Sequence, residues 1–185
     1  MAKHFIARTV TENPAYMQAQ IRVPAATELH AGDVVVAETL DAALGSKNVG
    51  VYAPTQVADI TKDNIAIILD GGFETLPDGR RPDGQPDYTQ YVMQTGEVVT
   101  AHRLIPETRY EVSIDACDAT VGAATIVPGD KLIPKVGQYE LTYEAKATDA
   151  TAKNYLEIEA VKYFRLGGQS GMDMAKTLVV RAKMA

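Results

Sequence analysis

Apolar positions along the chain fall into short runs of β-branched and aromatic residues, each closed by Gly, Pro, Asp or Asn. Runs of that length and spacing predict strands, and no long amphipathic helical stretch competes with them. The expected strands are Phe5–Val10, Met17–Val23, Val34–Thr39, Val49–Tyr52, Ile65–Leu69, Tyr88–Gln94, Glu97–Arg103, Tyr110–Ile114, Lys131–Pro134, Gln138–Thr142, Leu156–Phe164 and Thr177–Ala182. In the penultimate one, Leu156, Ile158 and Ala160 alternate with Glu157, Glu159 and Val161, which predicts one dry face and one mostly wet face. Helix signals reduce to one turn at Asp41–Gly45, ended by Gly45, and another short turn at Gln169–Lys176. The pattern predicts an all-β fold, a barrel-like or sandwich domain with long loops.

Punctuation adds two features. Ala31-Gly32-Asp33-Val34-Val35 is echoed by Pro128-Gly129-Asp130-Lys131-Leu132. In each, Gly is expected to supply a positive φ and Asp to cap the turn through its side chain. The echo is read either as two weakly related β half-repeats or as turn chemistry that many folds share. The stretch Gly71–Asp87 holds two Pro-Asp-Gly triplets and is too long for a simple hairpin connection, so it is expected to be a partner-binding arm or a disordered tip.

A chain of 185 residues fits one β-rich domain, 1–185, with an N-terminal arm and strands over 1–24 and the long turn-rich loop over 71–87. At this size roughly 70% of the unfolded chain's surface is buried on folding, so no disulfide or metal is needed for stability. The net charge is −6, from 18 basic and 24 acidic residues, and the basic residues are scattered. That balance argues against nucleic acid as a partner, because displacing counterions from phosphates needs a basic face. The single cysteine, Cys117, excludes an intrachain disulfide and a thiolate zinc site, and fits a reducing cytoplasm. The opening MAKHFIARTVTENP lacks the apolar core of a signal peptide, and no apolar run approaches the ~20 residues that span a bilayer, so no membrane is expected.

Candidate chemistry is sparse. Asp78, Asp83 and Asp87 share the long loop, with Asp70 and Glu74 upstream, but their spacing does not match a calcium loop. His4, His30 and His102 lack paired metal-ligand spacing. Cys117 sits between Ala116 and Asp118 with Asp115 nearby, and carboxylates raise a thiol's pKa and blunt its nucleophilicity. Gly168-Gln169-Ser170-Gly171 is one residue short of a nucleophile elbow, and the Gly-rich stretch from Leu166 lacks the lysine of a phosphate-binding loop. No catalytic, cofactor or metal residue is therefore assigned, and the chain is expected not to be an enzyme. Nine tyrosines against three phenylalanines suit contacts with protein surfaces.

Several segments together resemble the tailed-phage capsid decoration proteins, also called cement or head-stabilising proteins. They are Ala31-Gly32-Asp33-Val34-Val35, the run Tyr88 to Val99 containing Gly96-Glu97-Val98-Val99, Tyr110-Glu111-Val112-Ser113-Ile114, and Pro128 to Leu141. The resemblance spans roughly residues 29–142. It implies a β-barrel or β-sandwich bound to the outside of a capsid shell, with the phage major capsid protein as partner and the virion as location after synthesis in the host cytoplasm. It brings no catalytic residues. Self-association, as a trimer for instance, is expected through strand edges, with Phe5–Val10 and Thr177–Ala182 as the candidates. Contact with the shell is expected from Gly71–Asp87 and from the arm before Pro24. The alternatives are a ligand-binding β-barrel, an enzyme whose site is assembled from distant residues, and a phage tail or baseplate module.

Overall fold

The computed structural model describes residues 5–10, 18–42, 50–69, 92–147, 152–165 and 174–184. They form eleven strands: β1 (Ala7–Thr9), β2 (Gln18–Arg22), β3 (Val34–Leu40), β4 (Val51–Thr55), β5 (Ile65–Ile68), β6 (Val98–Arg103), β7 (Arg109–Ser113), β8 (Lys131–Pro134), β9 (Leu141–Glu144), β10 (Asn154–Arg165) and β11 (Met174–Met184). A 3-10 turn at Ile114–Ala116 and a single short helix, α1 (Ala119–Ala123), separate β7 from β8. The fold is all-β, as the hydrophobic pattern predicts.

Two sheets share the work. Strands β1-β7-β11-β10-β8-β9 make a six-stranded sheet, and β2-β4-β3-β5-β6 close into a five-stranded ring through the pairing of β2 with β6. The ring is packed against the six-stranded sheet along β3 and β5. Val34, Val36, Ile65 and Ile67 join a large core with Tyr110, Val112, Leu156, Ile158, Leu178 and Val180 of the sheet. The residues between them, Val35, Ala37, Ala66 and Ile68, point the other way and fill the ring with Ala19, Ile21, Val99 and Ala101. A strand buried on both faces has no use for a polar alternate position, which is why these two read Val-Val-Val-Ala and Ile-Ala-Ile-Ile.

Two irregularities have local causes. Pro54 lies within β4 and has no N–H to give. Opposite it the register with β3 slips, pairing Val36 with Thr55 but Thr39 with Ala53. In β10 the register against β11 shifts between Ile158 and Ala160. The strict alternation expected for Leu156 to Val161 breaks at that bulge: Val161 turns inward opposite Leu178 and packs on the large core. An apolar residue that the sequence placed on the wet face is thereby returned to the dry one.

One turn type recurs between strands, in four of its five copies directly before a strand. In His30–Asp33, Gln94–Glu97, Ile105–Thr108, Val127–Asp130 and Lys135–Gln138, the fourth N–H donates to the first carbonyl at 3.0–3.2 Å. The third residue, Gly32, Gly96, Glu107, Gly129 or Gly137, has a positive φ. In the three acidic copies a carboxylate also accepts from the first N–H: Asp33 from His30 at 2.8 Å, Asp130 from Val127 at 2.8 Å and Glu97 from Gln94 at 2.9 Å. The Gly-Asp echo is therefore real at the level of the turn. One copy opens a strand of the ring and the other a strand of the six-stranded sheet. Gly32 is constrained twice, since a Cβ there would also lie 2.5 Å from that of Ala116.

Other expectations are corrected. Met174-Ala175-Lys176 does not form a turn but extends β11 by pairing with Arg165, Phe164 and Tyr163. The strand expected at Gln138–Thr142 starts later, at Leu141, because the turn Lys135–Gln138 takes its first residue and the chain bends at Tyr139 and Glu140. β11 is not a free edge: it lies between β7 and β10. Nor is the arm before Pro24 free of the core, since Ile6, Ala7, Ala19, Ile21 and Val23 are all buried. At the other end of the sheet, the outer edge of β9 is sealed. Asp118 N–H donates to Leu141 O at 2.9 Å, and Tyr143 N–H donates to the Thr120 hydroxyl at 3.2 Å. Sealing an edge removes the row of unpaired backbone groups that would recruit another strand.

Candidate interaction surface

The side of the ring that faces away from the six-stranded sheet is built by β6, β2 and β4. Because Ala19, Ile21, Val99 and Ala101 point into the ring, their neighbours point out. The outward set is Gln18, Gln20 and Arg22 on β2, Val98 and Thr100 on β6, and Val51 and Ala53 on β4, with Gln20 opposite both Thr100 and Val51. Gln18, Gln20 and Val98 are exposed. The Gln20 amide donates to the Thr100 hydroxyl at 3.1 Å. Among the described outward residues the charge of Arg22 is compensated by Asp41, 3.6 Å away, beside a hollow of about 300 Å³ lined by Pro24, Pro54 and Gly96.

The outward side of the six-stranded sheet is different in kind. Glu159, presented at the bulge of β10, accepts from both Arg109, at 2.8 Å, and Arg181. Arg181 also reaches Glu107 at 3.3 Å, and Lys183 reaches the same carboxylate at 2.7 Å. On the neighbouring strands Arg8 meets Glu111 at 2.6 Å, and the Thr177 hydroxyl donates to Glu111 at 2.6 Å. Burial pulls the Glu111 carboxyl upward, but the hydrogen bonds from Thr177 and Arg8 and the nearby positive charge outweigh it and hold the pKa below the ordinary value.

The residues weighed for chemistry are scattered. Cys117 is buried, and burial followed by the charges of Asp118, Asp33, Glu140 and Asp115 pushes its thiol pKa far up, so it is inert as a nucleophile. His30 stacks on Phe5 with centroids 4.0 Å apart. His102 is buried beside Gln18 and Ile67 in the register, its Nδ1 has no hydrogen-bond partner, and burial lowers its pKa. Asp118 caps α1 by accepting from Thr120 N–H at 2.9 Å. Among the described residues no three His, Cys, Asp or Glu side chains are grouped to hold a metal ion. Among them, too, no helix is long and apolar enough to cross a membrane. His4, Asp70, Glu74, Asp78, Asp83, Asp87, the loop Gly71–Asp87 and Gly168–Gly171 lie outside the described residues, as does the turn expected at Asp41–Gly45 beyond Ala42.

The uncharged face was not singled out from the sequence. A signal existed in the outward positions of β2 and β6, where amides, a hydroxyl and a valine stand in place of the usual Lys and Glu. The signal becomes visible only when β2, β4 and β6 are known to be neighbours. No protein-family model matches the chain, and no curated protein or solved structure was found to be similar to it.

Proposed function

We propose that the chain is a non-enzymatic structural protein of a phage head, a decoration protein that docks on the outer surface of the capsid through the uncharged face of its ring. The observation that carries the reading is the contrast between that face and the charged one. Depletion of charge is the compositional mark of an interface centre, because ions resist dehydration and amides and aliphatic groups do so far less. The all-β fold is of the kind that the resemblance to decoration proteins implies. In this reading the partner is the phage major capsid protein and the location is the virion surface.

The mechanism is mass action. A subunit that sits across a joint between shell proteins buries its face only on the assembled lattice, so binding stabilises the lattice. Half of such a site buries too little area to offset the entropy of association. A tail or baseplate module would use the same kind of face, and the outcome with shells separates the two.

The test is co-sedimentation with expanded and with unexpanded shells. The wild-type chain is expected to pellet with expanded shells only, with little dependence on salt because the face has no net charge. Val98→Lys is expected to weaken that binding at least tenfold while leaving the melting temperature unchanged. Equal binding to both shell forms, binding to neither, or normal binding by Val98→Lys overturns the reading.

A further inference from the structure

At the far end of β6 from Val98 the ring opens into a second hollow, of about 560 Å³. The size falls within the range of small-molecule sites, and the mouths of closed sheets are common places for them. Its floor is made by Ala37 and Ala66, both buried. Their small side chains leave room where larger residues would fill the ring. Over the floor, the Arg103 guanidinium lies on the Tyr52 ring, 5.3 Å from its centroid. Glu38 lines the same hollow, and one of its oxygens accepts from the Asn64 amide at 3.3 Å.

Two opposite charges line one hollow without pairing. Among the described residues Arg103 has no carboxylate partner and Glu38 no cationic one. Elsewhere on this protein the opposite holds, since Arg8, Arg109 and Arg181 of the six-stranded sheet are held by carboxylates. Arg103 is also held in place by the stack on Tyr52, which leaves the fork of its guanidinium edge free to take a carboxylate through two parallel hydrogen bonds. Glu38 keeps acceptor capacity for an ammonium group.

We propose that this mouth binds a small zwitterion with an aliphatic body, of the free amino-acid type: carboxylate on Arg103, ammonium on Glu38, and side chain over Ala37 and Ala66. The site is separate from the docking face and does not rest on the capsid reading.

The test titrates the full chain with leucine, and with its two halves, 4-methylpentanoate and 3-methylbutylamine, by calorimetry and by amide chemical shifts. Leucine is expected to bind and to move the signals of Ala37 and Ala66, and each half-ligand is expected to bind at least tenfold more weakly. Arg103→Met is expected to reduce leucine binding at least tenfold, as is Glu38→Gln, with melting temperatures near wild type because both side chains are exposed. Leucine that causes no shift, half-ligands that bind as well as leucine, or leucine binding unchanged in both variants overturns the proposal. Weakened binding in a variant whose melting temperature has also collapsed is set aside in favour of the half-ligand comparison on the wild-type chain, which decides alone.

Discussion

On the outward face of the six-stranded sheet, Arg8, Arg109, Arg181 and Lys183 are each held by Glu111, Glu159 or Glu107, whereas the outward face of the ring offers Gln18, Gln20, Thr100, Val98 and the ion pair of Arg22 with Asp41. Both faces are wettable, so hydrophilicity does not tell them apart. The difference lies in what covering them would cost. The paired ions of the sheet would have to give up water and already have their partners, so a second protein gains little by approaching them. The ring loses only the hydration of amides, a hydroxyl and aliphatic carbon. Two faces of one molecule are thus sorted into one that stays wet and one that can be covered.

The comparison presumes one cooperative body, and the severest way to break it is to cut the layer that the two regions share. Ile67→Ala removes a wholly buried side chain from the contact between ring and sheet. It is expected to cost about 2–5 kcal/mol in urea unfolding, with a single transition retained. Two separate transitions would mean that the faces belong to independent bodies.

Glu111→Ala attacks the sheet alone. It removes the carboxylate that Arg8 and the buried Thr177 hydroxyl both donate to, and the expected loss is about 1–3 kcal/mol. Because the folded pKa of Glu111 lies below its ordinary 4.5, the wild type binds fewer protons folded than unfolded around that pH. Its contribution is present above 4.5 and fades as pH falls through the folded value. Acid titration of stability in the variant is expected to lack that part of the slope.

A change in the shared core that alters neither face sharpens the contrast. The Tyr110 hydroxyl is buried without a partner, and burial raises its pKa. Tyr110→Phe is expected to stabilise the chain by up to about 1 kcal/mol and to leave shell binding as it was. A loss of stability would show that the hydroxyl is satisfied in solution.

The smallest effect belongs to His102, at the seam where the ring's outward face meets the core. Burial lowers its folded pKa below 6.5. Its neutral form is therefore favoured in the fold, so stability is full above 6.5 and declines as pH drops toward the folded value. His102→Gln is expected to flatten the profile between 6.5 and the carboxylate range. An unchanged slope assigns the effect to another group.

Strands were legible where local chemistry decides them. Lys131–Pro134 is bounded by Gly129-Asp130 on one side and Gly137 on the other, and the strand appears where expected. Local reading failed where a neighbour decides. The slip at Pro54, the bulge at Ile158 and the early end of the expected wet face are set by partner strands. Helix α1 was missed because five residues, one of them Gly122, leave no periodicity, and only the Asp118 cap could have flagged it. The inertness of Cys117 was readable from adjacent Asp residues, but its burial was not. Neither candidate site was legible, since Val98, Gln20 and Val51 are brought together by ring closure, as are Glu38 and Arg103.

The pairing of Arg8 with Glu111, 103 residues apart in the chain, constrains the order of folding. Every residue of the ring is synthesised between those two partners. Strand β1 therefore has no seat until β7 emerges, while the ring can close beforehand, with Gln20 reaching Thr100 across 80 residues. Until then Val34, Val36, Ile65 and Ile67 stand bare on the ring's flank. Contacts this distant in sequence form slowly, because the loop entropy is lost before any packing is gained. A nascent chain stalled before residue 109 is thus a sticky half-molecule, and the segment from β7 to β11 acts as its cover.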